Sequence, residues 1–276
     1  MSNSEYQRLY EIFRADCADN ARQAGFDKAL QQKTNDWLLH TCRYKYSYNF
    51  TWLGRPIIQY PQDIVAMQEL IWQVRPDLII ETGIAHGGSL ILSASMLALI
   101  DYSEAAGSST SFDPRKSRRR VLGIDMDIRA HNRTAIEAHP LSHQIHMIEG
   151  SSIDQEIILQ VREYAQGYSR ILVCLDSNHT HDHVLAELEA YAPLTSRDSY
   201  CVVFDTVIEE FPDHFFPDRP WGKGNNPKTA VREYLRRLGD EAYKGMDGQA
   251  LRFEIDKSIE NKLLVTVAPD GYLKRI

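Results

Sequence analysis

Five short apolar runs punctuate the middle of the chain: Leu78–Ile80, Val121–Ile124, Ile145–Ile148, Ile171–Leu175 and Tyr200–Phe204. Stretches of helical spacing lie between them. Strands that alternate with helices run parallel, because each crossover returns the chain to the same end of the sheet, and both faces then take a helical cover. Near the end the texture changes. Arg252–Ile255 and Lys262–Val267 are separated by only a few polar residues. That gap is too short for a parallel crossover, so the pair is expected to form an antiparallel hairpin. Five parallel strands closed by such a hairpin are unlike a plain dinucleotide-binding fold.

The start of the chain has no such alternation. Tyr6, Leu9, Tyr10, Ile12 and Phe13 recur near helical spacing, which predicts a helix over 4–24. An aromatic tract follows, in which Tyr44, Tyr46, Tyr48, Phe50 and Trp52 alternate as in a strand. Asp63 is placed to cap a helix that runs to about Gln73 and ends at Arg75-Pro76. Residues 1–60 therefore read as a helical and aromatic extension on a domain spanning 61–276. The extension carries more aromatic surface than it can bury by itself, so it is expected to contribute to the contact of a homo-oligomer. The polar stretch Ser103–Arg120 holds the basic cluster Arg115, Lys116, Arg118, Arg119 and Arg120, and reads as a mobile solvated loop.

Composition narrows the partners. Acidic residues number 38 against 31 basic, a net charge of -7, whereas nucleic-acid binders are more often basic, so no nucleic-acid partner is expected. The four cysteines form no CxxC pair, and Cys174 and Cys201 sit inside apolar runs. Neither structural zinc nor a disulfide framework is expected. The N-terminal stretch has no apolar signal region, and the apolar stretch Leu90–Ile100 is about half the roughly 20 residues that span a bilayer. A cytoplasmic protein with no membrane partner is the plain reading.

Chemistry-bearing residues gather where each strand ends. After the first comes Glu81-Thr-Gly-Ile-Ala-His-Gly-Gly-Ser89. Its glycines let backbone approach a ligand, and the helix that follows offers free N–H groups to an anion. The spacing is not the G-x-G-x-x-G dinucleotide fingerprint. Glu81 can accept from a cationic or hydroxylated ligand and Ser89 can donate to a carboxylate, a pair that suits S-adenosylmethionine. Asp125 ends the second strand, where an acid can bind the two hydroxyls of a ribose; Asp127 serves there or caps the next helix. Ser152, after the third strand, could meet an adenine edge, with Asp154 as a helix cap. Asp176 ends the fourth strand and His179 can reach the same centre, whereas His181 and His183 read as ordinary residues of a helix start. Asp205 ends the fifth strand beside Asp176. Two carboxylates that close need a shared proton or cation, and a hard ion such as Mg²⁺ with bound waters answers that. The loop Arg219–Pro227, with Trp221 as a flat wall, is a lid over an acceptor or a packed connection.

Five segments together carry a resemblance: Trp52–Asp63, Glu81–Ser89, Gly123–Asp127, Asp176–His179 and Pro220–Thr229. In this order the chain resembles the cephalosporin hydroxylase family, which groups with S-adenosylmethionine-dependent O-methyltransferases and has macrolide-sugar and rhamnosyl O-methyltransferases among its relatives. The resemblance covers about residues 44–240. It implies an α/β, Rossmann-like class I methyltransferase: a mostly parallel seven-stranded sheet with a C-terminal antiparallel hairpin. It implies that Glu81, Gly83 and Ser89 hold the cofactor's methionine end, that Asp125 holds the ribose, and that Ser152 lies at the adenine. It also implies Asp176 as a metal ligand and His179 as general base, acting on a small hydroxylated acceptor. Metal-dependent relatives carry two adjacent ligands after the fifth strand; here only Asp205 fits, between Phe204 and Thr206, so either water or Glu209 completes the shell or the affinity for the metal is low. Two other functions stay open at this point. One is an S-adenosylmethionine-binding regulatory protein without turnover, motivated by Phe204. The other is an NAD-dependent dehydrogenase, which the glycine spacing and the terminal hairpin disfavour.

Overall fold

The computed structural model describes residues 3–240 and 242–276. Two helices lead, α1 (Asn3–Phe26) and α2 (Lys28–Cys42), and the Asp27 carboxylate between them caps α2 by accepting the Leu30 N–H at 3.0 Å. The sequence pattern finds the first helix and misses the second. Residues 4–18 are exposed throughout, Tyr6, Leu9, Tyr10 and Phe13 among them. The aromatic tract is not one strand. Tyr46–Asn49 forms a 3-10 turn, and only Phe50–Trp52 extends, as β1 of a two-stranded antiparallel ribbon with β2 (Arg55–Ile57). Tyr46 turns inward against Trp37, Phe50 and Tyr60, so part of the tract packs on its own chain, while Tyr44 and Tyr48 stay exposed.

Helix α3 (Pro61–Val74) begins at a proline, whose fixed φ suits the first helical position. Tyr60 occupies the cap position, so Asp63 is not the cap. It is the third residue of the helix, fully buried, and accepts the Val267 N–H at 3.1 Å and the hydroxyls of Tyr272 (2.9 Å) and Thr266. Burial pushes the Asp63 carboxyl up to about 6 despite those three bonds.

The five apolar runs form β3 (Leu78–Thr82), β4 (Arg120–Asp125), β5 (Ile145–Glu149), β6 (Ile171–Leu175) and β7 (Tyr200–Val203), all parallel. The terminal antiparallel pair is β8 (Phe253–Ile255) with β9 (Tyr272–Arg275), not with Lys262–Val267. Two interactions, one local and one distant in sequence, explain the correction. Asp256 accepts the Ser258 N–H and caps a short helix α9 (Lys257–Leu263), and Asp63 then captures Thr266 and Val267. Strand β9 slips between β7 and β8, giving the seven-stranded order β5-β4-β3-β6-β7-β9-β8.

Helix α4 (Gly88–Ser108) takes up the first part of the stretch expected as a loop. Arg119, from the basic cluster, is buried: it donates to Asp101 at 2.8 Å and to Glu104 at 2.8 and 3.0 Å, two acids one turn apart on α4. By length and composition alone α4 could cross a membrane, but half of its apolar window is buried, with Leu90, Ile91, Leu97 and Ile100 fully enclosed. The remaining helices are α5 (Ala130–Glu137), α6 (Gln155–Ala165), α7 (His181–Tyr191) and α8 (Pro227–Asp240). Asp127 is exposed and does not cap α5, whose cap position is Arg129; Asp154 holds the cap position of α6 without a side-chain bond. Two apolar layers, one on each face of the sheet, make up the core.

Candidate active site

The strand order turns back on either side of β3, and ligands of open α/β sheets bind outside the carboxyl ends at such a point. A crevice of about 810 Å³ opens there, within the range of small-molecule sites. Its walls are laced together through backbone. Gly83 has φ +88°, and a side chain there would meet the Asp176 carbonyl oxygen at 2.0 Å. Only glycine lets the turn after β3 press against the turn after β6. Gly88 is equally confined, with the Pro56 carbonyl 2.2 Å from where a Cβ would sit, and this brings β2 and the residues after it over the crevice.

All the site residues expected from sequence line this one crevice or its adjoining recess: Glu81, Gly83, Ser89, Asp125, Ser152, Asp176, His179 and Asp205. The Asp125 carboxylate accepts the N–H groups of Ile84 (2.7 Å), Ala85 (3.2 Å) and Asp127 (3.1 Å). It thus shapes the glycine-rich turn as well as facing the crevice. Ser89 donates to Glu81, so this hydroxyl already has a protein acceptor. Burial pushes the Glu81 carboxyl up to about 7, against the downward pull of that hydrogen bond.

A folded-state pKa above the unfolded value stabilises the protein most below the unfolded value. The contribution is lost as pH rises through the folded pKa. For Glu81 that window runs from about 4.5 to about 7, roughly 3 kcal/mol at 1.36 kcal/mol per unit. Glu81→Gln is therefore expected to flatten the stability profile between pH 5 and 8, and to be the more stable protein at pH 8. Urea unfolding at the two pH values measures this; parallel wild-type and variant profiles would refute it.

At the ends of β6 and β7, Asp176, His179 and Asp205 converge. One donor atom from each lies within 4.8 Å of the other two. His179 Nε2 is 3.2 Å from Asp205 Oδ2, and Gln59 Nε2 donates to Asp176 Oδ2 at 3.1 Å. Burial, and next the Asp205 charge, hold the Asp176 carboxyl well above the ordinary carboxylate range. Asp205 itself has φ +56°, a conformation that aspartate tolerates better than most residues. The two carboxylates, with electrostatic cost still uncompensated, fit a hard divalent ion that keeps several waters, and His179 stands beside that pair. Phe204 is not a ligand; it is buried in the apolar layer. Thr206 is fully buried and donates to the Pro269 carbonyl at 2.6 Å. Glu209 does not complete the group. It accepts from the Gly224 N–H at 2.8 Å and the Asn226 amide at 2.6 Å, which with Arg232 nearby lowers its pKa against the effect of burial.

Those same bonds make 219–227 an anchored loop. Asn226 is fully buried and its side-chain oxygen receives the Lys228 and Thr229 N–H groups at the start of α8, while Asn225 accepts the His181 N–H at 2.8 Å. Arg219 and Trp221 are left facing the crevice. The Trp221 ring meets His179 edge to face at 4.8 Å, and the Arg219 guanidinium lies 5.2 Å from the Trp221 ring centroid. His181 bonds Thr229 and starts α7, as read from the sequence. Two contributors were missed. Gln59 lies in the quoted Trp52–Asp63 segment without a role assigned to it. Glu187 follows His183 by four residues on α7, a helical spacing legible in the sequence.

A family model described as Rhamnosyl O-methyltransferase/CmcI matches residues 44–276. A rhamnosyl O-methyltransferase of Mycobacterium tuberculosis is 27% identical over 230 residues, covering 82% of this chain and 78% of its own. One from Mycobacterium leprae is 28% identical over 228 residues, 82% of each. Among solved structures, a cmcI structure described with Mg and SAM superposes with a TM-score of 0.51 at 17% identity, over 83% of this chain and 77% of its own. That likeness concerns the fold.

Proposed function

The chain belongs to the rhamnosyl O-methyltransferase/CmcI family and is an S-adenosylmethionine-dependent O-methyltransferase by that membership, and from this premise we propose that it methylates a hydroxyl of a small sugar or natural product with a divalent cation at Asp176 and Asp205. The observation that carries the reading is the convergence of Asp176, His179 and Asp205 beside a crevice that also holds Ser89 and Asp125, with Glu81 in its adjoining recess. The rhamnosyl relatives support a sugar-type acceptor.

The methyl sulfonium is already activated, so the protein's work is alignment and deprotonation. Asp205 Oδ2 lies 3.2 Å from His179 Nε2 and faces that edge of the imidazole, and Nδ1 is proposed to take the acceptor's proton. Gln59 holds one oxygen of Asp176, and the other remains for a ligand. A divalent cation held by Asp176 and Asp205 would lower the pKa of the acceptor hydroxyl. Trp221 closes one side of His179 and keeps that side apolar. The cofactor is proposed to lie across β3, β4 and β5: methionine end at Glu81, Gly83 and Ser89, ribose at Asp125, adenine at Ser152. Asp125→Ala is expected to weaken S-adenosylmethionine about tenfold or more, the cost of a charge-assisted hydrogen bond of about 1.5–3 kcal/mol. Titration calorimetry tests this, and unchanged affinity removes Asp125 from the site.

We also propose a homo-oligomer, with the N-terminal extension in the contact. The support is the apolar face of α1: Tyr6, Leu9, Tyr10 and Phe13 are each about half exposed or more, on a helical segment that marginal helix stability would leave frayed in water by itself. Light scattering at micromolar concentration is expected to give more than one chain per particle; a monomer ends the idea. A cytoplasmic location remains part of this proposal.

A further inference from the structure

Behind the crevice wall lies a fully buried carboxyl group, that of Glu187 on α7, which the proposed reaction does not use. A single oxygen, Oε1, accepts the hydroxyl of Ser152 at 2.5 Å and that of Ser177 at 2.6 Å. His183 Nε2 lies 3.1 Å from Ser152 Oγ, 3.2 Å from Ser177 Oγ and 3.5 Å from Glu187 Oε1. The Tyr191 hydroxyl donates to the Ser152 carbonyl and holds that loop in place. Glu187 Oε2 is buried with no partner. A carboxylate held this way contributes little to stability, because removing it from water costs more than two hydrogen bonds on one oxygen return.

Its effect is on the direction of the two hydroxyls. A serine has one proton to donate. Both protons are committed to Glu187, whose oxygen is nearer to each hydroxyl than the imidazole is. His183 Nε2 must then carry a hydrogen, since the two serine oxygens and the carboxylate oxygen around it are all acceptors. Ser152, Ser177 and His183 line the crevice, and the two serines can offer a ligand lone pairs only. A ligand atom that meets them has to be a donor. A group with its own lone pair would leave two or three acceptors facing one another, and a site built this way rejects the mismatch strongly.

We propose that Glu187 is a positioning residue for the cofactor's base: by holding the Ser152 and Ser177 hydroxyls inward, it makes this wall accept the exocyclic amine of adenine and refuse a 6-oxo purine. This rests on the reading that the cofactor's base lies beyond Asp125 at the end of β5. The role is one of selectivity, so the preference between two ligands reports it, and a loss of packing does not.

The test is calorimetric titration with S-adenosylhomocysteine and with S-inosylhomocysteine, which carries a carbonyl where adenine has its amine. Wild type is expected to prefer the adenosyl ligand by at least about tenfold, a difference of about 1.4 kcal/mol. Glu187→Met keeps the volume but frees both hydroxyls to rotate, and is expected to bring the preference below about threefold. The Ser152→Ala/Ser177→Ala double variant removes the accepting oxygens and is expected to do the same, which keeps the test open if the methionine variant does not fold. A wild type without preference overturns the proposal, as does a Glu187→Met protein that loses affinity for both ligands equally. If wild type binds neither ligand, the cofactor reading fails first, and this proposal with it.

Discussion

Replacing His179 by alanine is expected to slow single-turnover methyl transfer by about 10²–10⁴-fold, the usual cost of losing a general base, while leaving S-adenosylmethionine affinity unchanged. An aliphatic hydroxyl is almost wholly protonated at neutral pH, so some group must take its proton as the new bond to the methyl carbon forms. His179 is placed for this by the end of β6 and by Asp205, 3.2 Å from Nε2. It lies outside the stretch expected to hold the nucleoside, so cofactor binding serves as the internal control. Asp205→Asn keeps the shape but weakens the hold on the ring, and belongs in the same series with a smaller expected loss. A His179→Ala enzyme that turns over at a near-normal rate would end the assignment. A variant that also loses the cofactor would mean that His179 supports the crevice rather than the proton transfer.

Asp176→Ala is expected to lose on the order of 10²-fold or more in the same assay, because a bound cation contributes several kcal/mol of charge stabilisation to such a step. EDTA should lower the wild type toward the variant's rate and leave the variant unchanged. Asp176 carries a carboxyl that burial and Asp205 disfavour in its charged form, and an arrangement this costly calls for a positive partner. Manganese binding, followed by its paramagnetic signal, provides a readout independent of turnover, and Asp176→Ala should abolish it. Wild-type activity indifferent to EDTA, with Asp176→Ala inactive, would show that Asp176 acts without a cation. Phe204 is the residue that makes this outcome informative, because a buried phenyl ring beside Asp205 offers no ligand atom to a cation.

The parallel part of the sheet was legible because each strand is an apolar run bounded by polar residues, and buried parallel strands have few other ways to read. The site was legible for the same reason: Glu81, Asp125, Asp176 and Asp205 each stand where an apolar run stops, which is where an open sheet exposes ligand-facing ends. Misreadings fell where a single distant side chain overrides local pattern. Lys262–Val267 is apolar and alternating enough for a strand, yet Asp63 holds Thr266 and Val267 from some two hundred residues away. Arg119 looked solvated among four other basic residues, and Asp101 with Glu104 buries it. Tyr46 broke the expected strand because Trp37, Phe50 and Tyr60 offer it an aromatic pocket. Gln59 and Glu187 were missed because their roles lie in what they hold, Asp176 in one case and two serines in the other.

The bond from Tyr272 to Asp63 joins residues 209 positions apart, and this sets a clock on the newborn chain. At about 5–20 residues per second a ribosome needs about 10–40 s to travel that distance. Throughout that interval Asp63 has been made and Tyr272 has not, and from residue 203 onward the β7 edge that β9 will cover stands open. The growing chain thus carries a carboxylate without its native partners for most of its synthesis and an unsealed sheet edge at β7 during the last part of it, and aggregation or capture by a holding chaperone competes during those seconds. Ribosome-stalled chains ending before residue 272 should remain protease-sensitive at α3, and chains extended far enough to bring 276 out of the exit tunnel should not.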